Sequence, residues 1–167
     1  MPGMNTYERS VRVAAPLSEV WKFHSTERGL EELTPDWMGL CIEDVRGPDN
    51  EADPEVLEAG SRLRCSVRPL GVGPRQHWTS EIVERETTDG GAYFRDVMHD
   101  GPFEEWEHTH SFYADGEWTL CRDRVRYQLP LGALGHALGP VAVVGFEPMF
   151  RFRHRRTREL LGNAVEA

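Results

Sequence analysis

From Arg62 to Gln128 the chain runs in a period of two, broken at short intervals by turn residues. Arg62 to Arg68 alternates with Leu63, Cys65 and Val67 on one side. Gln76 to Val83 places Trp78, Ser80 and Ile82 on one face and His77, Thr79, Glu81 and Val83 on the other. Ala92 to Met98, Glu105 to Phe112 and Glu117 to Gln128 continue the series. Successive side chains of a strand point to opposite faces, so this pattern specifies strands with one buried side. Asp89-Gly90-Gly91, Asp100-Gly101-Pro102 and Ala114-Asp115-Gly116 supply the turn chemistry between them. Consecutive strands joined by short turns pair antiparallel, and a meander with one apolar face needs a second layer to cover it.

The flanks offer that layer. Tyr7 to Val13 reads as a first strand with Tyr7, Val11 and Val13 on its apolar side, interrupted by Arg9. After Ala15-Pro16, Val20, Trp21, Phe23 and His24 are spaced to cover one face of a short helix, with Glu19 near its N-terminus. Residues 30 to 40 read as a second short helical or turn segment stopped by Pro35. A strand up to about Val45 is followed by a solvated excursion, since residues 41 to 60 hold seven acids against one Arg, with Pro48 and Pro54 among them. Beyond Leu129-Pro130 the period changes, and Phe146, Met149, Phe150, Arg153, Arg156, Thr157, Leu160 and Leu161 follow helical spacing. Pro148 suits the first turn of a helix over 146 to 161, whereas one kinked helix or two over 133 to 161 are both compatible with the sequence. The expected class is α+β: a curved antiparallel sheet, about six strands after the first, closed by a long C-terminal helix with two short helices after the first strand. A curved sheet gripping a helix leaves space between them, and function is expected there.

Composition narrows the partners. The 167 residues fit a single domain, 1–167, with a core over about 7–161. A formal net charge of −9 argues against nucleic acid and anionic membrane surfaces. The apolar stretch Val141 to Phe146 is interrupted by Gly145 and too short to span a bilayer, and the start MPGMNTYERSVRV lacks the apolar run of a signal peptide. A cytoplasmic protein without stable membrane insertion, monomer or homodimer, is expected. Cys41, Cys65 and Cys121 form no CxxC pair, so buried free thiols are expected rather than disulfides or zinc. No GxGxxG, GxxxxGK or GxSxG pattern is present, and no cofactor is expected.

The chemistry-bearing residues lie on the meander. Trp106, His108, His110 and Phe112 share a strand face, and the aromatic ends mark that face as inward. By the same alternation Phe94, Asp96 and Met98 point inward together, as do Cys121, Asp123, Val125 and Tyr127. A buried carboxylate is costly unless paired, so Asp96 and Asp123 are expected to face His108 or His110. Three roles fit such a cluster: a structural polar network, an anchor for a ligand at the wall of an apolar pocket, or general acid–base catalysis. Two His at alternate strand positions with a remote carboxylate are not a specific metal motif, and no metal is expected. The run RFRHRRTREL reads as the charged outer face of the terminal helix, and Trp21, Trp37 and Trp78 are further candidates for a cavity wall.

The opening YERSVRVAAPLSEVWKFHS resembles the START/Bet v 1-like (SRPBCC) superfamily, to which polyketide cyclases, aromatase-like dehydratases and lipid or hormone carriers belong. FRDVMHDGPFEEWEHTHSF, LCRDRVRYQLPLGALG and MFRFRHRRTREL, in that order, resemble more narrowly a bacterial and archaeal branch of it. The resemblance implies a helix-grip fold and an apolar cavity between sheet and helix, for which Trp78, Phe94, Trp106, Phe112, Val125, Tyr127, Phe146, Met149 and Phe150 are suitable wall residues. It carries no universal catalytic motif. The leading expectation is binding or carriage of a small hydrophobic or aromatic molecule. The alternatives are a cyclase/dehydratase-type enzyme using His108 or His110 with Asp96 or Asp123, and a non-catalytic structural or interaction module.

Overall fold

The structure is a computed structural model that describes residues 3–139 and 143–162. Seven antiparallel strands form one open sheet: β1 (Asn5–Val13), β2 (Cys41–Arg46), β3 (Arg62–Val67), β4 (Gln76–Thr87), β5 (Gly91–His99), β6 (Glu105–Asp115) and β7 (Trp118–Gln128). Their order is β1-β7-β6-β5-β4-β3-β2, so the meander is the body of the sheet and β1 folds back onto its last strand. The two sequence-adjacent strands β1 and β2 therefore lie on opposite edges. Helices α1 (Leu17–His24) and α2 (Glu27–Glu32) carry the chain between them. The C-terminal segment holds α3 (Gly132–Leu138) and α4 (Val143–Leu161), two helical stretches rather than one.

Helix α4 closes the sheet through Phe146, Phe150, His154 and Thr157, all buried, while Arg151, Arg155 and Arg158 are exposed. Phe146 and Phe150 join Tyr7, Val125 and Tyr127 in one core cluster. The polar interruption of β1 is resolved at this contact. Arg9 donates to Glu147 Oε1 at 2.6 Å and the Tyr7 hydroxyl to Glu147 Oε2 at 2.5 Å, which ties the edge strand to the helix. Helix α4 starts at Val143, so Pro148 lies inside it and not in its first turn, and has no N–H for the Val144 carbonyl.

Two further expectations need correction. The acidic segment after β2 is not wholly solvated: Leu57 is buried against Val45, Leu63, Cys65 and Ile82, and its N–H donates to the Ser25 carbonyl. Its acids stay outside while one apolar side chain anchors it. Of the cysteines, Cys65 and Cys121 are buried free thiols but Cys41 is exposed on the edge strand.

The α1–α2 corner depends on Gly29. Thr26 caps α2 by accepting from the Gly29 N–H at 3.2 Å, and a Cβ at residue 29 would sit 2.3 Å from the Phe23 carbonyl oxygen. Backbone cannot yield as a flexible side chain does. Gly29→Ala is therefore expected to lower stability by about 1–3 kcal/mol in urea denaturation, the range for overpacking. An unchanged midpoint contradicts this close approach.

Candidate functional site

The register brings the inward polar residues together. Asp96 on β5 lies opposite His108 on β6, and His110 lies opposite Asp123 on β7. Asp123 is the hub. It accepts hydrogen bonds from His108 Nε2 at 2.8 Å and from His154 Nε2 at 2.5 Å, and His110 Nδ1 lies 3.0 Å from its Oδ1. Asp96 accepts from His110 Nε2 at 3.2 Å and from the Ser80 hydroxyl at 3.3 Å. His110 is thus flanked by a carboxylate at each ring nitrogen and stacks on Phe94 with ring centroids 4.1 Å apart.

These contacts assign protons. A carboxylate only accepts, so His108 carries its proton on Nε2 and His110 carries one on each nitrogen. Burial opposes the charge on His110, but its hydrogen bonds to Asp123 and Asp96 outweigh it and hold the imidazolium form to higher pH than usual. The adjacent His108 responds the other way. Burial, reinforced by the His110 charge 3.6 Å away ring to ring, pushes it down to about 4 despite Asp123. Burial alone would push Asp123 and Asp96 up. The surrounding imidazoles reverse this, holding Asp123 well below the ordinary carboxylate range and Asp96 below it as well. His108 is consequently a neutral imidazole whose Nδ1 has no hydrogen-bond partner among the described residues and lies 4.0 Å from Asp96 Oδ2.

The cluster borders a cavity of about 170 Å³ between the sheet and α4. Of the residues singled out from sequence, Trp78, Phe94, Asp96, Trp106, His108, His110, Met149 and Phe150 line it. Phe112 and Asp123 instead face a smaller adjoining void together with His154, and Val125, Tyr127 and Phe146 are packed in the core. Trp21 packs against Phe94 and Phe112, and Trp37 is exposed, so neither belongs to the lining.

Four contributions were not anticipated. Leu30, Leu33, Met38 and Leu40 close the cavity from α2 and the turn after it. His154 is buried on α4 and bonded to Asp123, not part of the outer charged face. Its position four residues after Phe150 was the available signal. Arg153, one residue earlier, lines both spaces. His24 also lines both; its Nδ1 donates to the Val20 carbonyl, and burial pushes the ring down to about 3.

One potential ligand atom each from Asp96, His108 and His110 lie within 4.8 Å of one another, close enough to share an ion. In the folded cluster His110 Nε2 and Asp96 Oδ2 bond each other, so an ion would have to displace that bond and its proton.

The family model for polyketide cyclase/dehydrase and lipid transport proteins matches residues 13–152. The chain belongs to this family. The family assignment agrees with the helix-grip architecture of sheet and α4. Solved structures similar to the chain include the Zhui aromatase/cyclase from Streptomyces sp. R1128, at TM-score 0.65 and 15% identity, covering 98% of this chain and 97% of that one. A START superfamily protein from Mycobacterium smegmatis is similar at TM-score 0.63 and 18% identity, over 95% and 99% of the two chains. Norcoclaurine synthase from Thalictrum flavum, in complex with a transition-state analogue, is similar at TM-score 0.63 and 13% identity, over 94% and 93%. At these identities the likeness establishes the fold. No curated protein matches the sequence. Among the described residues no helix is long and apolar enough to cross a membrane.

Proposed function

We propose that this family member is a cyclase/dehydratase-type enzyme that moves a proton on a small, largely apolar substrate held in the sheet–helix cavity. The observation that carries the reading is the state of His108: a neutral imidazole bordering an apolar cavity, its Nε2–H held by a buried carboxylate and its Nδ1 left unbonded. A base in this arrangement removes a proton from substrate through Nδ1. Asp123 is the positioning residue, fixing the tautomer and stabilising the imidazolium that forms. Asp96, which also lines the cavity, lies 4.0 Å from the same nitrogen and favours that charge too. The surrounding Trp78, Phe94, Trp106, Met149 and Phe150 supply the apolar wall that binds substrate and excludes water. Similarity to an aromatase/cyclase and to norcoclaurine synthase supports the reading at the level of fold.

Simple carriage of an apolar ligand needs the cavity but not the base. The test separates them without knowledge of the natural substrate. 2-Tetralone, a bicyclic ketone with acidic benzylic hydrogens, is incubated in D2O with the protein and its hydrogen exchange followed by proton NMR. Wild-type protein is expected to accelerate exchange at the carbon between ring and carbonyl, and His108→Gln to lose about 100-fold or more of that acceleration, the scale of general base catalysis. Equal acceleration by His108→Gln, or bound ketone without acceleration, refutes the enzymatic reading.

A further inference from the structure

The arginines of α4 are not equivalent. Arg151 pairs with Glu147 at 3.5 Å, Arg155 with Glu159 at 3.7 Å and Arg156 with Glu32 at 3.1 Å, while Arg158 donates to the Arg12 carbonyl at 3.0 Å. The Arg153 guanidinium has no ion-pair or hydrogen-bond partner among the described residues, although acids outnumber bases 28 to 19 in this chain. It is half-buried, its guanidinium carbon lies 6.0 Å from the Phe150 ring centroid, and it lines the cavity. A half-buried guanidinium that borders apolar walls without a counter-charge is open to an anionic group in the cavity. The nearby groups do not supply one: His24 is a neutral ring bonded to Val20, and Asp123 is committed to three imidazoles.

We propose that Arg153 is the anchor for the carboxylate of the substrate, which makes the substrate class a small aromatic or alicyclic carboxylic acid. This rests on the cavity reading above and specifies it. A guanidinium offers two parallel N–H groups that match a carboxylate, so an acid gains a charge-assisted contact and a fixed orientation there. The size follows from the space. A cavity of about 170 Å³ is comparable to the engineered cavity of about 150 Å³ that takes up benzene, so the apolar body is one ring or two fused rings. The charge pattern sets the direction of binding. Asp96 is itself a carboxylate on the cavity wall and repels a second one, so the substrate's carboxylate is held at Arg153 and its uncharged part meets His108.

1-Naphthoate and its neutral isostere 1-naphthamide test this in the full chain, with binding read from the fluorescence of Trp78 and Trp106, which line the cavity. Wild-type protein is expected to bind the acid about tenfold or more tighter than the amide, as a charge-assisted bidentate contact requires. Arg153→Gln is expected to abolish that preference while still binding the amide, and Arg153→Lys to keep part of it. Retained amide binding reports that the variant has folded with its cavity intact. A preference that survives in Arg153→Gln, or no preference in wild type, overturns the anchor and leaves the base at His108 standing. If neither compound binds wild type, the anchor and the cavity reading fall together.

Discussion

Asp123→Asn is expected to destabilise the protein by roughly 3–5 kcal/mol, the range for removing one partner of a buried charged network. Asp123 is 6% exposed and faces His108, His110 and His154 at once. An asparagine keeps the shape but replaces one acceptor oxygen with an amide donor, which then confronts an imidazole N–H. The charge opposite the His110 imidazolium is lost as well. Urea denaturation at pH 7 followed by circular dichroism measures the effect, with Asp96→Asn as the comparison. Asp96 borders the cavity, so its replacement is expected to cost less, about 1–3 kcal/mol. A loss below about 1 kcal/mol for Asp123→Asn contradicts its role as the hub.

Stability is expected to fall steeply as pH drops below about 6.5, the pKa of an unfolded histidine. His24 and His108 are pushed down by burial to about 3 and about 4, so between these values and the unfolded pKa they bind protons in the unfolded chain and not in the native one. Two extra protons on the unfolded side give a slope of roughly 2–3 kcal/mol per pH unit, with stability rising toward neutrality. His110 contributes nothing to this slope, because it is protonated in both states there. Its raised pKa adds stability that is complete below the unfolded value and is lost as pH rises through the native one. Asp96 and Asp123, held low, add stability that is lost only as pH falls below the ordinary carboxylate range. Urea titrations at pH 7.5, 6.5, 5.5 and 4.5 give the curve, and His24→Gln is expected to remove about half of the slope. A flat profile over this interval refutes the assignment of both rings as neutral.

The parts of the site that could be read before any coordinates are those set by alternation. Trp106, His108, His110 and Phe112 share a face because a strand has period two, and the same rule turned Asp96 and Asp123 inward. The rule fails where the backbone departs from it. The register of β4 and β5 shifts between Ile82 and Glu84, and beyond that bulge Arg85 lies over the Trp21 ring at 4.5 Å and donates to the Ser25 hydroxyl. His154 was hidden for a different reason. It stands among arginines, so its composition resembles a solvated face, and only the packing of α4 shows that its acceptor is 31 residues back on β7.

The sequence by itself determined the strands, their turns, the inward identity of the polar residues and the need for a covering helix, because each rests on interactions between near neighbours in the chain. It also carried the family resemblance, since the order of motifs is a property of the string. Only the tertiary structure decided which carboxylate meets which imidazole, and hence that His110 bridges two acids while His108 keeps a free nitrogen. It likewise decided which aromatics line space and which fill it, and that Arg153 alone among the arginines of α4 faces the cavity without a partner. Those outcomes depend on register and on the angle at which α4 crosses the sheet, and both are set by the packing of distant side chains rather than by local preference.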